Sequence, residues 1–370
     1  MATTNTLITP DIVAREALIA LENNLVMAGL VHRDYSDEFK QVGDTVTIRK
    51  PAVFEAKTFT SATDPQNVTE TSIDVKLDTH LDVTFALGVK ELTLDIVNFR
   101  TQFIDPAMRA HAQAIDLKLC NLYKGIPSFY GTAATTPDAL EDIAGVRKML
   151  NDQKVPMGER RLVIDSTAEA EFLVLDAIIN AEKSGTTEAL RNANLGRLMG
   201  FGVYMDQNIR THDSGGDTAC AIDNKGTAYA VGATAIHVDG LSAAMVAGDA
   251  IKVGSEYYSI ASVGTLDTAD QDLVLGEPIR TAANFVDDVA VTVLADHTAN
   301  MAFHRNALAL VTRPLAPPLG AARAEVLSWN GISVRVVYAY DSASKVDTIS
   351  LDLLCGAKVI YPELACRLLG

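Results

Sequence analysis

Seven histidines, four cysteines and a loose group of aspartates are the residues of this 370-residue chain that could carry chemistry. The histidines are His32, His80, His111, His212, His237, His297 and His304, and no two stand at metal-ligand spacing on one element. A lone histidine is more often a hydrogen-bonded structural residue than a ligand. Cys120, Cys220, Cys355 and Cys366 stand singly, so neither a zinc site nor a disulfide framework follows. They are expected to be buried as small apolar residues. Asp206, Asp213 and Asp217, with Asn208 nearby, offer oxygens of the kind calcium takes, but lack a loop signature and read as a solvated loop.

Nucleophile and nucleotide motifs are equally thin. Gly200-Phe201-Gly202 sits in a strand-like run without a third glycine, so it reads as a place where a strand bends or packs closely. Ser166, following Asp165, reads as a helix cap. The phosphate-cradling, dinucleotide, zinc-protease and serine-hydrolase signatures do not occur. The expectation is a chain with no catalytic residue, no cofactor and no metal, which is not an enzyme.

The elements that would have to position any site point elsewhere. Residues 11–30 carry a helical apolar stripe opened by Thr9 and Pro10, and the charged stretch 31–41 reads as an extended arm. Thr45 to Lys50 and Ser72 to Gly88 alternate apolar with polar residues, predicting a long two-stranded ribbon whose tip is the Thr/Ser-rich stretch 51–71. A ribbon of that length has little core of its own and is marginal alone, the first sign of a chain that assembles. Phe99 to Leu122 is the longest helical pattern.

From Pro137 the texture becomes α/β: a helix at 137–153 capped by Thr136, a strand at 161–165, a helix at 166–175 capped by Ser166, a loop at 181–197 and a strand at 198–206. Residues 219–296 hold only short β-rich runs between Gly/Asp/Thr turns, which predicts a small inserted barrel or sandwich with adjacent ends. Three strands, 307–312, 332–341 and 348–361, close the chain.

The formal net charge is −16, with no Lys/Arg cluster, so tight binding of free nucleic acid is not expected. Acidic balance keeps an abundant protein soluble. No apolar run is long enough to span a bilayer, and the Thr-rich, uncharged start predicts cytoplasmic synthesis.

Four strings resemble, in order, the major capsid proteins of tailed bacteriophages with the Hong Kong 97-type fold. They are Ile8-Thr-Pro-Asp-Ile-Val-Ala-Arg-Glu-Ala with Gly43-Asp-Thr-Val-Thr-Ile-Arg; Gly196-Arg-Leu-Met-Gly-Phe-Gly-Val-Tyr; His304-Arg-Asn-Ala-Leu-Ala-Leu-Val-Thr-Arg-Pro-Leu; and Leu351-Asp-Leu-Leu-Cys-Gly-Ala-Lys-Val-Ile-Tyr-Pro-Glu-Leu-Ala. The resemblance implies an α+β chain with an N-terminal arm (1–41), an extended loop (42–88), a peripheral domain with a spine helix (89–131), an axial domain (132–218 and 298–370, with peripheral strands) and an inserted β domain (219–297).

It also implies an icosahedral shell of hexamers and pentamers around double-stranded DNA, with portal, scaffolding and decoration proteins as partners. Some such shells join a ribbon lysine to a neighbour's asparagine; Lys50 and Lys57 lie on the ribbon, but no activating acid is identifiable, and they read as exposed solubilising residues. The rival readings are an encapsulin-like compartment shell and an α/β hydrolase working in 164–212.

Overall fold

The apolar alternation and the helical stripes resolve, in a computed structural model, into two compact units. The structure describes residues 10–33, 45–50, 71–88, 100–185, 187–215, 220–224, 229–318, 323–329, 331–341 and 346–370. The 51–70 ribbon tip, most of the 31–41 arm and Lys57 lie outside the described residues.

In chain order the first elements are α1 (Pro10–Asn24), α2 (Met27–Leu30), β1 (Thr45–Lys50), β2 (Thr71–Lys76), β3 (Thr79–Gly88) and α3 (Asp105–Cys120). A π turn, Arg100–Ile104, leads into α3. The α/β stretch gives β4 (Phe129–Tyr130), α4 (Leu140–Asp152), β5 (Arg160–Ile164), α5 (Ser166–Val174), α6 (Asp176–Ile179), α7 (Ala181–Ser184), α8 (Glu188–Asn192), β6 (Arg197–Leu198), β7 (Phe201–Met205) and β8 (Thr211–His212). Then follow β9 (Cys220–Ile222), β10 (Ala235–Asp239), β11 (Ala250–Val253), β12 (Glu256–Val263), β13 (Gln271–Leu275) and β14 (Ala290–Val293). The chain ends with β15 (His297–His304), β16 (Leu308–Arg313), β17 (Arg323–Trp329), β18 (Ile332–Asp341), β19 (Val346–Val359) and β20 (Ala365–Leu369).

The first unit gathers residues 1–25, 32–115 and 309–360. Its five-stranded sheet runs β16–β19–β18–β17, with β3 paired along β19. The alternation through Ser72 to Gly88 is continuous, but the pairing is not. β2 pairs with β1, whereas β3 leaves the ribbon and joins β19, from Thr79 opposite Cys355 to Gly88 opposite Val346. The ribbon is therefore shorter than its pattern predicts, and Val46, Ile48 and Val75 at its base are buried within the chain. Ala14, Ala17 and Leu21 form the buried stripe of α1, which packs on β17 and β18. His111 of α3 is buried and donates from Nε2 to the Leu351 carbonyl at 2.9 Å, so this helix is tied to a strand backbone as well as packed on it.

The second unit gathers residues 26–31, 116–308 and 361–370. Its mixed sheet runs β4–β20–β15–β5–β7–β6, with β8 on β15. Strands β5 and β7 are parallel, linked by the α5–α8 crossover. Successive side chains alternate between faces. Leu162, Ile164, Phe201 and Val203 therefore face α4 and α5, where they pack with Val146 and Phe172. Strands β10–β13–β12–β11–β14–β9 close into a barrel around Ile251, Tyr258, Leu273 and Phe285. All four cysteines are buried, as expected.

Several local expectations shift for identifiable reasons. The helix predicted through 11–30 is broken at Leu25-Val26, and α2 is capped from far along the chain: Asp116 accepts from Val26 N at 2.8 Å and Ala28 N at 3.1 Å. Burial raises the Asp116 carboxyl to about 6. The helix expected from Pro137 starts at Leu140 without help from Thr136; Asp142 Oδ2 instead accepts from Ala139 N. The cap of α5 is Asp165, one residue before Ser166, because its two oxygens reach Thr167 N and Ala168 N. The run 198–206 is a hairpin rather than one strand, turned at Met199 and Gly200, whose φ values are +47° and +89°. Strand β20 escaped the sequence pattern altogether.

Asp165→Ala is expected to lower stability by about 1 kcal/mol, the usual cost of losing an N-cap acceptor, read as a fall in the thermal unfolding midpoint.

Candidate functional site

The densest polar chemistry in the second unit is buried where the barrel meets the mixed sheet. Strand β20 places Arg367 opposite Met301 of β15, and the β8–β15 pair sets His212 opposite His297. Arg367, His212, His297 and Asp249 are each at most 2% exposed. Tyr123, in the 3-10 turn after α3, completes the group.

The contacts form a chain. The Asp249 carboxylate can only accept, so His212 Nε2 donates to it at 2.8 Å. Tyr123 Oη pairs with His212 Nδ1 at 2.7 Å. Asp249 also takes Gly215 N at 3.2 Å and Val246 N at 2.8 Å. Arg367 Nη1 donates to the Gly248 carbonyl at 2.7 Å, and its guanidinium lies 5.4 Å from the Phe129 ring centre. Gly248 has φ +103°, and a Cβ there would lie 3.1 Å from both the His212 ring and the Lys124 side chain. The barrel loop 245–249 is thus seated by hydrogen bonds on both sides of a glycine that allows the approach.

Burial sets the electrostatics. It pushes the Tyr123 hydroxyl up to about 12 and the Arg367 guanidinium down to about 10. It pushes His297 down to about 4, with the Arg367 charge adding to the effect. His297 donates from Nδ1 to the Ala295 carbonyl at 3.0 Å. Nothing in this group reaches solvent, so it works as a joint and offers a substrate no access.

The other sequence candidates do not come together. Asp206 is buried and accepts from Asn208 N and Nδ2 at 2.8 and 3.0 Å, Asp213 is exposed, and Asp217 lies outside the described residues. Among the described residues no group of three His, Cys, Asp or Glu side chains could hold a metal ion. His237 is bound to Asp272 within the barrel at 2.7 Å. Sequence reasoning missed Tyr123, Asp249 and Arg367. The one available signal was a single arginine inside the apolar run Ala365-Cys-Arg-Leu-Leu.

A family profile described as P22 coat protein, gene protein 5, matches residues 1–258. The chain belongs to that coat protein family and is a shell-forming structural protein of a phage capsid. Among solved structures it is similar to one from Mycobacterium phage Che8 at 18% identity and TM-score 0.49, covering 93% of this chain and 90% of that one. It is also similar to the capsid of Ralstonia phage GP4 at 9% identity and TM-score 0.49, covering 89% and 83%. The mature capsid of bacteriophage PhiM1 aligns at 12% identity and TM-score 0.48, covering 90% and 83%. No curated protein matches. Among the described residues no helix is long and apolar enough to cross a membrane.

Asp249→Ala is expected to cost about 3–5 kcal/mol, because it leaves Arg367 buried with less compensation and removes three accepted hydrogen bonds, measured by denaturant unfolding. His297 contributes a pH effect of defined sign. Its folded-state value of about 4 lies below the ordinary histidine value near 6.5, so the neutral form favours folding. Stability present above pH 6.5 is lost as pH falls towards 4, to a total of about 3 kcal/mol. His297→Gln is expected to flatten that fall in a pH series of unfolding midpoints.

Proposed function

We propose that this coat protein closes an icosahedral shell of hexamers and pentamers around the double-stranded DNA of a tailed phage, working by contact alone and catalysing no reaction. On this reading it is made and assembled in the host bacterial cytoplasm, with portal, scaffolding and decoration proteins as partners. Residues 1–41 act as the arm, 42–88 as the extended loop, 89–131 as the peripheral domain, 132–218 and 298–370 as the axial domain with strands lent to the peripheral sheet, and 219–297 as the insertion.

The observation that carries the reading is the β1–β2 ribbon. Its strands pair only with each other among the described residues. Its base is held to the chain by buried Val46, Ile48 and Val75 and by Lys358 Nζ on the Asp74 carbonyl at 2.8 Å. A two-stranded element of this kind gains most when a second surface covers it. In a shell, rotational symmetry repeats each modest contact, so closure rests on a sum. The acidic balance and the lack of a basic cluster fit a wall that contains DNA without gripping it.

Purified full-length chain is expected to form closed isometric particles in negative-stain images. Deleting Phe54 to Val68 should leave a folded chain that forms none; particles from the deletion variant would defeat the ribbon argument.

A further inference from the structure

We propose that the α/β lobe of the second unit carries two oppositely charged faces that join one copy to the next head to tail, the Glu171 face of α5 on one copy meeting the Arg197 recess on its neighbour. This rests on the coat-protein reading and names the contact that builds the ring.

The argument begins with strand alternation. Leu162, Ile164, Phe201 and Val203 turn towards α4 and α5. Arg161 and Tyr204 must then turn to the other face, and the register puts Arg161 opposite Gly202, which has no side chain to cover it. Beside them β6 brings Arg197 to the sheet edge. Glu159, Arg161, Asn194, Arg197 and Tyr204 line a recess of about 500 Å³. Tyr204 is 43% exposed. Arg161 spends one guanidinium nitrogen on the Leu30 carbonyl, while the Arg197 side chain has no hydrogen-bond or ion-pair partner among the described residues. Arg160 also lines the recess and Arg305 stands near Arg161, so its arginines outnumber the one acid, Glu159, on a chain of net charge −16.

On the helical face, α5 buries Ala168 and Phe172 and turns Thr167, Glu171 and Val174 outward, one helical stripe at i, i+4 and i+7. Val174 is 75% exposed, and the Glu171 side chain has no partner among the described residues. Among the described residues, an acid without a partner beside an exposed apolar side chain thus lies on one face of the lobe, and an arginine without a partner beside an exposed tyrosine on the other. Two different complementary patches on one chain make a heterologous contact, which closes into a ring when the rotation allows. Charge complementarity of this kind fixes register and rejects wrong pairings.

The test is charge reversal in the full chain, with shell yield read by sedimentation and negative-stain imaging, and folding checked by circular dichroism and the unfolding midpoint. Arg197→Glu and Glu171→Arg should each stay folded and cut shell yield at least ~10-fold, the effect of about 1.4 kcal/mol at a single contact. The double variant should restore wild-type yield. Arg197→Gln and Glu171→Gln, which only remove charge, should give intermediate losses and serve if a reversal fails to fold. Wild-type yield from the single variants, or a folded double variant as defective as the singles, would overturn the proposal. Failure of the wild-type chain to form particles would instead count against the coat-protein reading itself.

Discussion

A guanidinium with no access to water is the constraint around which the second unit is arranged. Desolvating such a charge costs several kcal/mol unless its surroundings answer it. The answer to Arg367 is partial: Nη1 donates to the Gly248 carbonyl in the barrel, the Phe129 ring at the start of β4 and the Asp249 charge lie nearby, and Nε and Nη2 have no hydrogen-bond partner among the described residues. Asp249 is in turn held by His212 and by two backbone amides. Moving Asp249 would leave His212 and the Gly215 and Val246 amides without their acceptor. That interdependence gives the barrel a fixed seat on the sheet, where an insertion held only by its two chain crossings would be free to swing.

How much of this was legible in the sequence follows from the distance between partners. The barrel could be read because each of its strands is short, alternating and bounded by turn residues. The helix 105–120 could be read because its apolar stripe is long and uninterrupted. The destination of β3 could not, because alternation runs on past Leu77-Asp78 while the partner, β19, lies more than 250 residues away. The joint was hidden for the same reason. His212 and His297 are adjacent in space only because the intervening barrel brings β8 and β15 together, and a histidine's neighbours across a sheet leave no trace in its local pattern. The caps were misplaced by one to three residues, as Asp165 and Asp142 did the work expected of Ser166 and Thr136.

Charge is distributed by module as well as in total. Residues 219–297 hold nine Asp and two Glu against two Lys and one Arg, a balance of −8 from about a fifth of the chain, whereas the β5–β7 edge gathers arginines. Like-charged barrels on neighbouring copies repel, which keeps the free protein dispersed. The two faces proposed to join copies lie on the α/β lobe, outside the barrel. A chain that must stay soluble at high concentration and still associate in one geometry benefits from separating these two tasks.

Seen as topology, the whole barrel is the connecting loop of the β8–β15 hairpin. Thr211 faces Thr298 and His212 faces His297 on the host side, while Cys220 faces Val291 on the barrel side. The chain leaves and returns through adjacent points, so the host strands bear almost no closure strain from what lies between them. Such a junction is a natural grafting point: a foreign domain with neighbouring termini could be displayed there on every subunit. The guest would have to bring a carboxylate for His212 and a carbonyl for Arg367, or the host would need both residues exchanged for apolar ones of similar volume.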